Sequence, residues 1–331
     1  MLKYRATVAV PTLAADATYL ECIRSLKAQS MQDFEIVVVD NSGQGRVPMD
    51  AAHRVIHNAG NVGFGAAINQ AYRDSTAPFL ATLNDDAVAH PEWLASLLAA
   101  IETSPRAGMC ASQVRLSGEQ CLDSVGMLLC RDGSSRQRGH RRPASEFPRQ
   151  EAVLLPSASA ALYRGEMLRE IGLFDEKFFL YCEDTDLGLR ARWAAWECLY
   201  VPEAIVEHRY SHSAGRVSAL KAFYVERNRL FLVFKTFPMP LLLLAPFHAL
   251  ARYFWHLALA VQGRGAAAEF GRAGNGMGQL PVLVLRAHWE LLLNLAGLWR
   301  QRRRLKRSIS SRQFQDLLAR YSITARQVAA L

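Results

Sequence analysis

Apolar positions in the first part of the chain follow two alternating rhythms. Thr7–Val10 and Glu35–Val39 are short β-branched runs that read as buried strands. Between them Tyr19, Cys22, Ile23 and Leu26 recur at the spacing of one buried helix face. The pattern continues with a strand at Arg54–His57, a helix at Gly63–Tyr72, a strand at Pro78–Leu83 and a helix at Pro91–Glu102. Such alternation predicts an α/β fold, a mostly parallel sheet with helices on both faces. Residues 131–151 are polar and Arg-rich and carry Gly133, Gly139, Pro143 and Pro148, which predicts an exposed loop. Apolar order resumes over Ala152–Tyr163, followed by a helix from Gly165 to Ile171.

Beyond Ser213 the rhythm changes. Leu220–Phe237 reads as a helix, and Pro238 and Pro240 are expected to break it before the apolar stretch Leu241–Val261. Within that stretch His248, Arg252 and His256 fall four apart, a polar stripe that suits a helix lying in a membrane interface better than one crossing it. A second apolar segment, Leu280–Trp299, carries Arg286 and Glu290 one helical turn apart and runs into the basic cluster Arg300–Arg307. The expected organisation is therefore an α/β domain, catalytic or binding, over 1–212 and a helical, basic, apolar region over 213–331. The plain alternative for the latter is a set of core helices.

The charge distribution supports that division. The 331-residue chain has a net charge of +9, yet residues 1–212 hold 21 Lys and Arg against 26 Asp and Glu, and residues 213–331 hold 18 against 4. A mildly acidic body is thus joined to a strongly basic tail, which points to phosphate, in lipid headgroups or in nucleic acid. Apolar helices beside a Lys/Arg cluster make the two-part signal of peripheral attachment to anionic membrane. A basic run without interleaved aromatics or a known nucleic-acid motif argues against nucleic acid. Half the residues are apolar, which excludes a disordered chain. The six cysteines form no metal-type spacing and the N-terminus shows no secretory signal, so free thiols and a cytoplasmic body are expected.

Four segments carry candidate chemistry. Asp40 ends a buried strand, where open α/β sheets bind ligands and where a plain turn is the alternative. Asn61-Val-Gly63-Phe-Gly65 precedes a helix and could let a backbone approach a ligand closely. Asn84-Asp85-Asp86 follows the Phe79–Leu83 strand and offers the hard oxygen ligands of Mg2+ or Mn2+. Glu183, Asp184 and Asp186 crowd next to an aromatic run, and like charges partly walled from water raise at least one carboxyl pKa, as a general base needs. Asp186 could simply cap a helix. His208 follows a strand and is a ligand only if it meets the Asp86 segment in space.

Taken in order, Val10-Pro11-Thr12, Val39-Asp40-Asn41, Asn61-x-Gly63-Phe64, Leu83-Asn84-Asp85-Asp86, Phe174-Asp175-Glu176, Phe179-x-Tyr181-x-Glu183-Asp184-x-Asp186-Leu187-x-x-Arg190, His208 and Tyr224-x-x-Arg227-Asn228 resemble the inverting family 2 glycosyltransferases of GT-A fold. The closest likeness is to bacterial rhamnosyltransferase-like enzymes of cell-surface polysaccharide assembly, and it covers about residues 5–235. The resemblance implies a nucleotide-sugar donor, dTDP-rhamnose or alternatively a UDP-hexose, and a lipid-linked or oligosaccharide acceptor. It implies that Thr12, Asp40, Asn61, Gly63, Asn84, Asp85 and Asp86 meet the donor, and that Asp86 and His208 hold Mg2+ or Mn2+. Asp184 matches the general base, with Glu183 as its competitor. Asn84 departs from the family's D-x-D pattern at the first position. A lipid-linked acceptor would place the enzyme on the inner face of the cell membrane.

Overall fold

The computed structural model describes residues 3–209, 218–276 and 278–330. They fall into two compact units: Met1–Met127, Gln137–Phe179 and Glu183–Ser213 form one, and Leu128–Arg136, Leu180–Cys182 and Ala214–Leu331 the other.

In the first unit β1 (Ala6–Thr12), α1 (Thr18–Lys27), β2 (Phe34–Asp40), β3 (Arg54–His57), α2 (Phe64–Arg73) and β4 (Phe79–Leu83) alternate as the hydrophobic rhythm predicts. β1, β2 and β4 are buried on both faces, so they read as continuous apolar runs and not as alternating ones. These strands pair in parallel in the order β3-β2-β1-β4. The chain moves from β1 to one side and then crosses to the other, so strand order reverses at β1. Open sheets have their ligand crevice outside the carboxyl ends of strands at such a point. Thr12 and Asp40 are register partners at those ends, and Asn84 follows the end of β4.

The remaining strands extend the sheet and bring a second group of polar residues to it. They are β5 (Ala87–Ala89), β6 (Ala107–Leu116), β7 (Leu122–Ser124), β10 (Glu151–Val153), β11 (Ala160–Arg164) and β12 (Glu197–His208), with the short pair β8 (Met127–Leu129) and β9 (Ser135–Gln137) forming a separate hairpin. β11 is antiparallel between β4 and β6, β12 runs parallel to β6, β5 pairs with β12, and β7 pairs with β6. Helices α3 (Trp93–Glu102), α4 (Gly165–Ile171) and α5 (Glu183–Trp193) complete the unit. Leu26, Phe34, Trp93 and Leu97 lie in one core cluster and Ile68, Tyr163, Met167 and Leu187 in another.

The second unit comprises α6 (Ala219–Thr236), α7 (Met239–Val261), α8 (Gly265–Arg272), α9 (Gln279–Arg304), α10 (Ser311–Arg320) and α11 (Ala325–Ala330), together with the turn of the β8–β9 hairpin. Two expectations change here. Pro240 does not delay α7, because a proline in the first turn lacks only an N–H that has no intrahelical partner there. The 131–151 segment is not a uniformly exposed loop: Asp132 is fully buried and accepts from Arg252 Nε at 2.5 Å.

The polar stripe on α7 faces inward. Arg252 also donates to Glu226 at 2.6 Å, and Arg229 pairs with Glu226 within the same buried network. Half-buried His256 has its pKa lowered to about 4 by burial and the nearby Arg252. What α7 exposes is apolar: Leu243, Phe247, Leu250, Phe254, Leu257 and Val261. On α9 Val282, Leu285, Trp289, Leu292 and Leu293 are likewise exposed. Among the described residues α9 is the one helix long and apolar enough to cross a membrane, by length and composition. All six cysteines are free thiols.

Candidate active site

The turn after β4 is where the sheet brings together residues distant in sequence. β5 returns from Asn84–Asp86 antiparallel to β12, so Ala87 stands opposite His208 and Asp86 reaches its imidazole. His208 Nε2 lies 3.1 Å from Asp86 Oδ1 and 3.3 Å from Asn84 Nδ2. On the other side of the ring Nδ1 is 2.8 Å from Asp123 Oδ2. Asp123 Oδ1 is in turn 3.3 Å from His140 Nδ1. Burial by itself would lower the His208 pKa, but hydrogen bonds to Asp123 and Asp86 outweigh it and raise the value to about 10. Burial pushes Asp123 up, and hydrogen bonds from His140 and His208 reverse this, holding its carboxyl below the usual range.

Asp85 faces the other side of the turn and accepts from Thr12 Oγ1 at 2.6 Å. Burial pushes its carboxyl up to about 6, the Thr12 hydrogen bond opposes this, and the Asp86 charge adds to it. Thr12 Oγ1 also accepts from Ala14 N at 2.8 Å. The Asp40 carboxylate is fully buried and engaged by backbone: Oδ1 accepts from Ser42 N at 2.8 Å and Oδ2 from Val47 N at 3.0 Å. It therefore shapes the 41–47 loop. Asn61 Oδ1 accepts from Gly63 N at 2.9 Å, and Gly63 (φ +90°) sits so close to Phe179 that an added Cβ would meet its carbonyl oxygen at 2.4 Å. Close packing is reason enough for this glycine.

At the start of α5, Glu183 and Asp184 differ in their surroundings. Asp184 is half-buried; its Oδ2 accepts from Ala158 N at 3.3 Å and its Oδ1 from Thr185 N at 2.6 Å. Glu183 is 7% exposed, and its Oε2 has no hydrogen-bond donor among the described residues. Burial raises both carboxyls, and the Asp184 charge raises Glu183 further, whereas hydrogen bonds from Ala158 and Thr185 oppose the rise at Asp184. Asp184 is thus the member better able to be ionised and reachable. The loop that supplies Ala158 N also joins the turn after β4, since Asn84 N donates to Ser159 O at 2.8 Å. Asp186 has a structural partner: it is fully buried and accepts from Arg190 Nε at 2.8 Å. Arg190 also donates to the carbonyls of Ile171, Gly172 and Leu173.

The family model described as glycosyl transferase family 2 matches residues 7–172. The chain belongs to this family. It is 28% identical to the N-acetylglucosaminyl-diphospho-decaprenol L-rhamnosyltransferase of Mycobacterium tuberculosis, in an alignment of 222 residues covering 59% of this chain and 72% of the relative. Among solved structures, a mannosyltransferase from Pyrobaculum calidifontis, in complex with GDP-Man and Mn2+, matches with a TM-score of 0.53 at 16% identity, over 95% of this chain and 86% of that one. GalNAc-T7 with UDP, GalNAc and Mn2+ matches with a TM-score of 0.56 at 13% identity; the match covers 71% of this chain and only 48% of that chain. These likenesses show a GT-A-like fold, and the chain is a rhamnosyltransferase-like family 2 glycosyltransferase.

Asp86 and His208 offer donors suited to a divalent cation. The buried carboxylate oxygen is the hard ligand that Mg2+ or Mn2+ takes, and the imidazole nitrogen 3.1 Å from it adds a nitrogen donor that suits a transition metal such as Mn2+ better than Mg2+. Among the described residues no three His, Cys, Asp or Glu side chains close a cage. A cation held by Asp86 and His208 would draw its other ligands from diphosphate and water, the usual arrangement for Mg2+. Three residues of the site escape sequence reasoning. Asp123 and His140 are single polar residues far in sequence from Asp86 and His208, the first marked only by being an acid in the short run Leu122–Val125. The third, Ala158, acts through its backbone N–H, which no residue type announces.

Proposed function

We propose that this enzyme transfers a sugar from a nucleotide-sugar donor, with L-rhamnose the sugar that its relative's name gives and dTDP-rhamnose the donor we assign to it, to a hydroxyl of a lipid-linked N-acetylglucosaminyl saccharide, with inversion at the anomeric carbon. The observation that carries the reading is the convergence of Asp86 and His208, 122 positions apart, on one buried point beside the turn that Thr12 and Asp85 fasten. Asp184 would take the proton of the acceptor hydroxyl as its oxygen forms the bond to the anomeric carbon and the bond to the diphosphate oxygen breaks. Glu183, buried and raised further, would stay neutral beside it. Asp86 and His208 would hold Mg2+ or Mn2+, which when bound offsets the charge developing on the departing nucleoside diphosphate. Asp40 and Asn61 would act on the donor through the loops they shape, with Thr12, Gly63, Asn84 and Asp85 lining the same sheet edge.

The second unit supports a place on the inner face of the cell membrane. Its exposed apolar residues on α7 and α9 are joined by exposed Arg300, Arg303, Arg304, Lys306 and Arg307, a combination that suits an anionic lipid surface carrying the acceptor. A screen of nucleotide sugars with a polyprenyl-diphospho-N-acetylglucosamine acceptor tests the reading. Transfer with opposite anomeric configuration in product and donor is expected; retention of configuration, or no transfer from any donor, would overturn it.

A further inference from the structure

We propose that Asp123 is a positioning residue for the metal centre: by accepting the Nδ1 proton of His208 it presents Nε2 to the cation that Asp86 shares. The inference rests on the reading of Asp86 and His208 as the cation's protein ligands. An ionised carboxylate can only accept a hydrogen bond, so the 2.8 Å contact between Asp123 Oδ2 and His208 Nδ1 requires the proton on Nδ1. Nε2, the nitrogen 3.1 Å from Asp86 Oδ1, is then the position that would give up its proton and offer its lone pair where a cation is held.

The fold places this contact from two directions. β6 runs between β7 and β12, so Asp123 and His208 approach from opposite sides of one strand, pinned by the register pairs Val114 with Ser124 and Leu116 with His208. Asp123 is 2% exposed. It is braced from behind by His140, whose Nδ1 lies 3.3 Å from its free-side oxygen Oδ1 and 3.2 Å from its backbone carbonyl. A carboxylate so fixed sets both the tautomer and the angle of the ring, as partners of metal-bound histidines do.

The test is Mn2+ binding to the full-length protein with a nucleoside diphosphate present, read from the electron paramagnetic resonance signal of free Mn2+. Asp123→Ala is expected to weaken binding about 10–100-fold. Asp123→Asn should recover part of this, because an amide oxygen can still accept from Nδ1. In a His208→Ala background Asp123→Ala should cost nothing further. Unchanged Mn2+ affinity in Asp123→Ala, or an equal loss without His208, overturns the proposal. A measurement without substitution covers poor folding of the variants. In the Mg2+-loaded protein, nitrogen-15 spectra of His208 should show the proton on Nδ1, and a proton on Nε2 with bare Nδ1 overturns the proposal. Failure of the underlying reading looks different: wild-type affinity for Mn2+ would be absent or indifferent to His208→Ala.

Discussion

Asn228 donates its side-chain amide to the carbonyl oxygens of Tyr181 and Leu180, at 2.7 and 2.8 Å. Both carbonyls belong to a segment of unusual backbone: Phe179, Tyr181 and Cys182 have φ of 59°, 68° and 65°, values that side-chain-bearing residues rarely adopt. Each such residue costs on the order of 1–3 kcal/mol and persists only where its surroundings hold it. The segment leads directly into Glu183 and Asp184. Asn228→Ala should therefore lower thermal stability by about 1–3 kcal/mol through two orphaned carbonyls. It should also lower kcat more than it raises the donor KM, which melting curves and steady-state kinetics would check.

Asp184 and Glu183 should part company on substitution. Asp184→Asn is expected to lower kcat by about 10²–10⁴-fold, the range of a general base, while leaving donor binding within a few-fold. Glu183→Gln, which mimics the neutral form, should keep most of the activity. Because the Asp184 carboxyl is raised by burial, the rate should fall as pH drops through a limb above the ordinary aspartate range. Rate–pH profiles of wild type and Glu183→Gln should share that limb.

The buried charges of the second unit predict acid sensitivity. Burial pushes the carboxyls of Asp132 and Glu226 up, but Arg252 and Arg229 more than reverse it, and both are held below their ordinary values. Their contribution to stability is complete above the unfolded values of about 3.9 and 4.3. It is lost as pH falls below these through the lower folded values. Melting temperature should thus drop steeply below about pH 4. Glu226→Gln, which leaves Arg252 and Arg229 short of a counter-charge, should cost about 3–5 kcal/mol at neutral pH. Thermal melts across pH 3–7 measure both.

Attachment to lipid should depend on residues that stability does not use. Phe247, Leu250, Phe254 and Leu257 are each more than 60% exposed, so replacing them with serine should leave the melting temperature nearly unchanged. The same change should release the protein from vesicles of phosphatidylglycerol in a sedimentation assay, since each buried apolar side chain contributes roughly 1.5–3 kcal/mol. Equal binding of both proteins would remove these helices from the account.

Elements with a strong period were legible in the sequence. Strands β1, β2 and β4 and helices α2 and α4 stand within a residue or two of where their apolar spacing puts them. Partnerships between distant strands were not. Nothing near Asp123 says that β7 will lie across β6 from His208, because register is set by the sheet as a whole. The inward turn of Arg252 was hidden for a related reason: a polar stripe on an apolar helix reads the same whether it faces water or a buried Asp132. Motif order singled out Asp86, Asp184 and His208 as candidates, and the structure brings Asp86 and His208 within 3.1 Å of each other, a meeting that motif order alone does not state. Nor does it announce that Asp186 accepts from Arg190, or that Asp40 accepts from the backbone of Ser42 and Val47.

The central claim, that Asp184 and a cation at Asp86 and His208 drive sugar transfer, is tested most directly by one assay. Nucleoside diphosphate release from dTDP-rhamnose would be followed with the polyprenyl-linked acceptor present, with and without Mn2+, for wild type and Asp184→Asn. The account predicts acceptor-dependent release by wild type that needs the cation and is lost in Asp184→Asn. Release that persists at the wild-type rate in Asp184→Asn, or that is the same after removal of divalent cations, would contradict it.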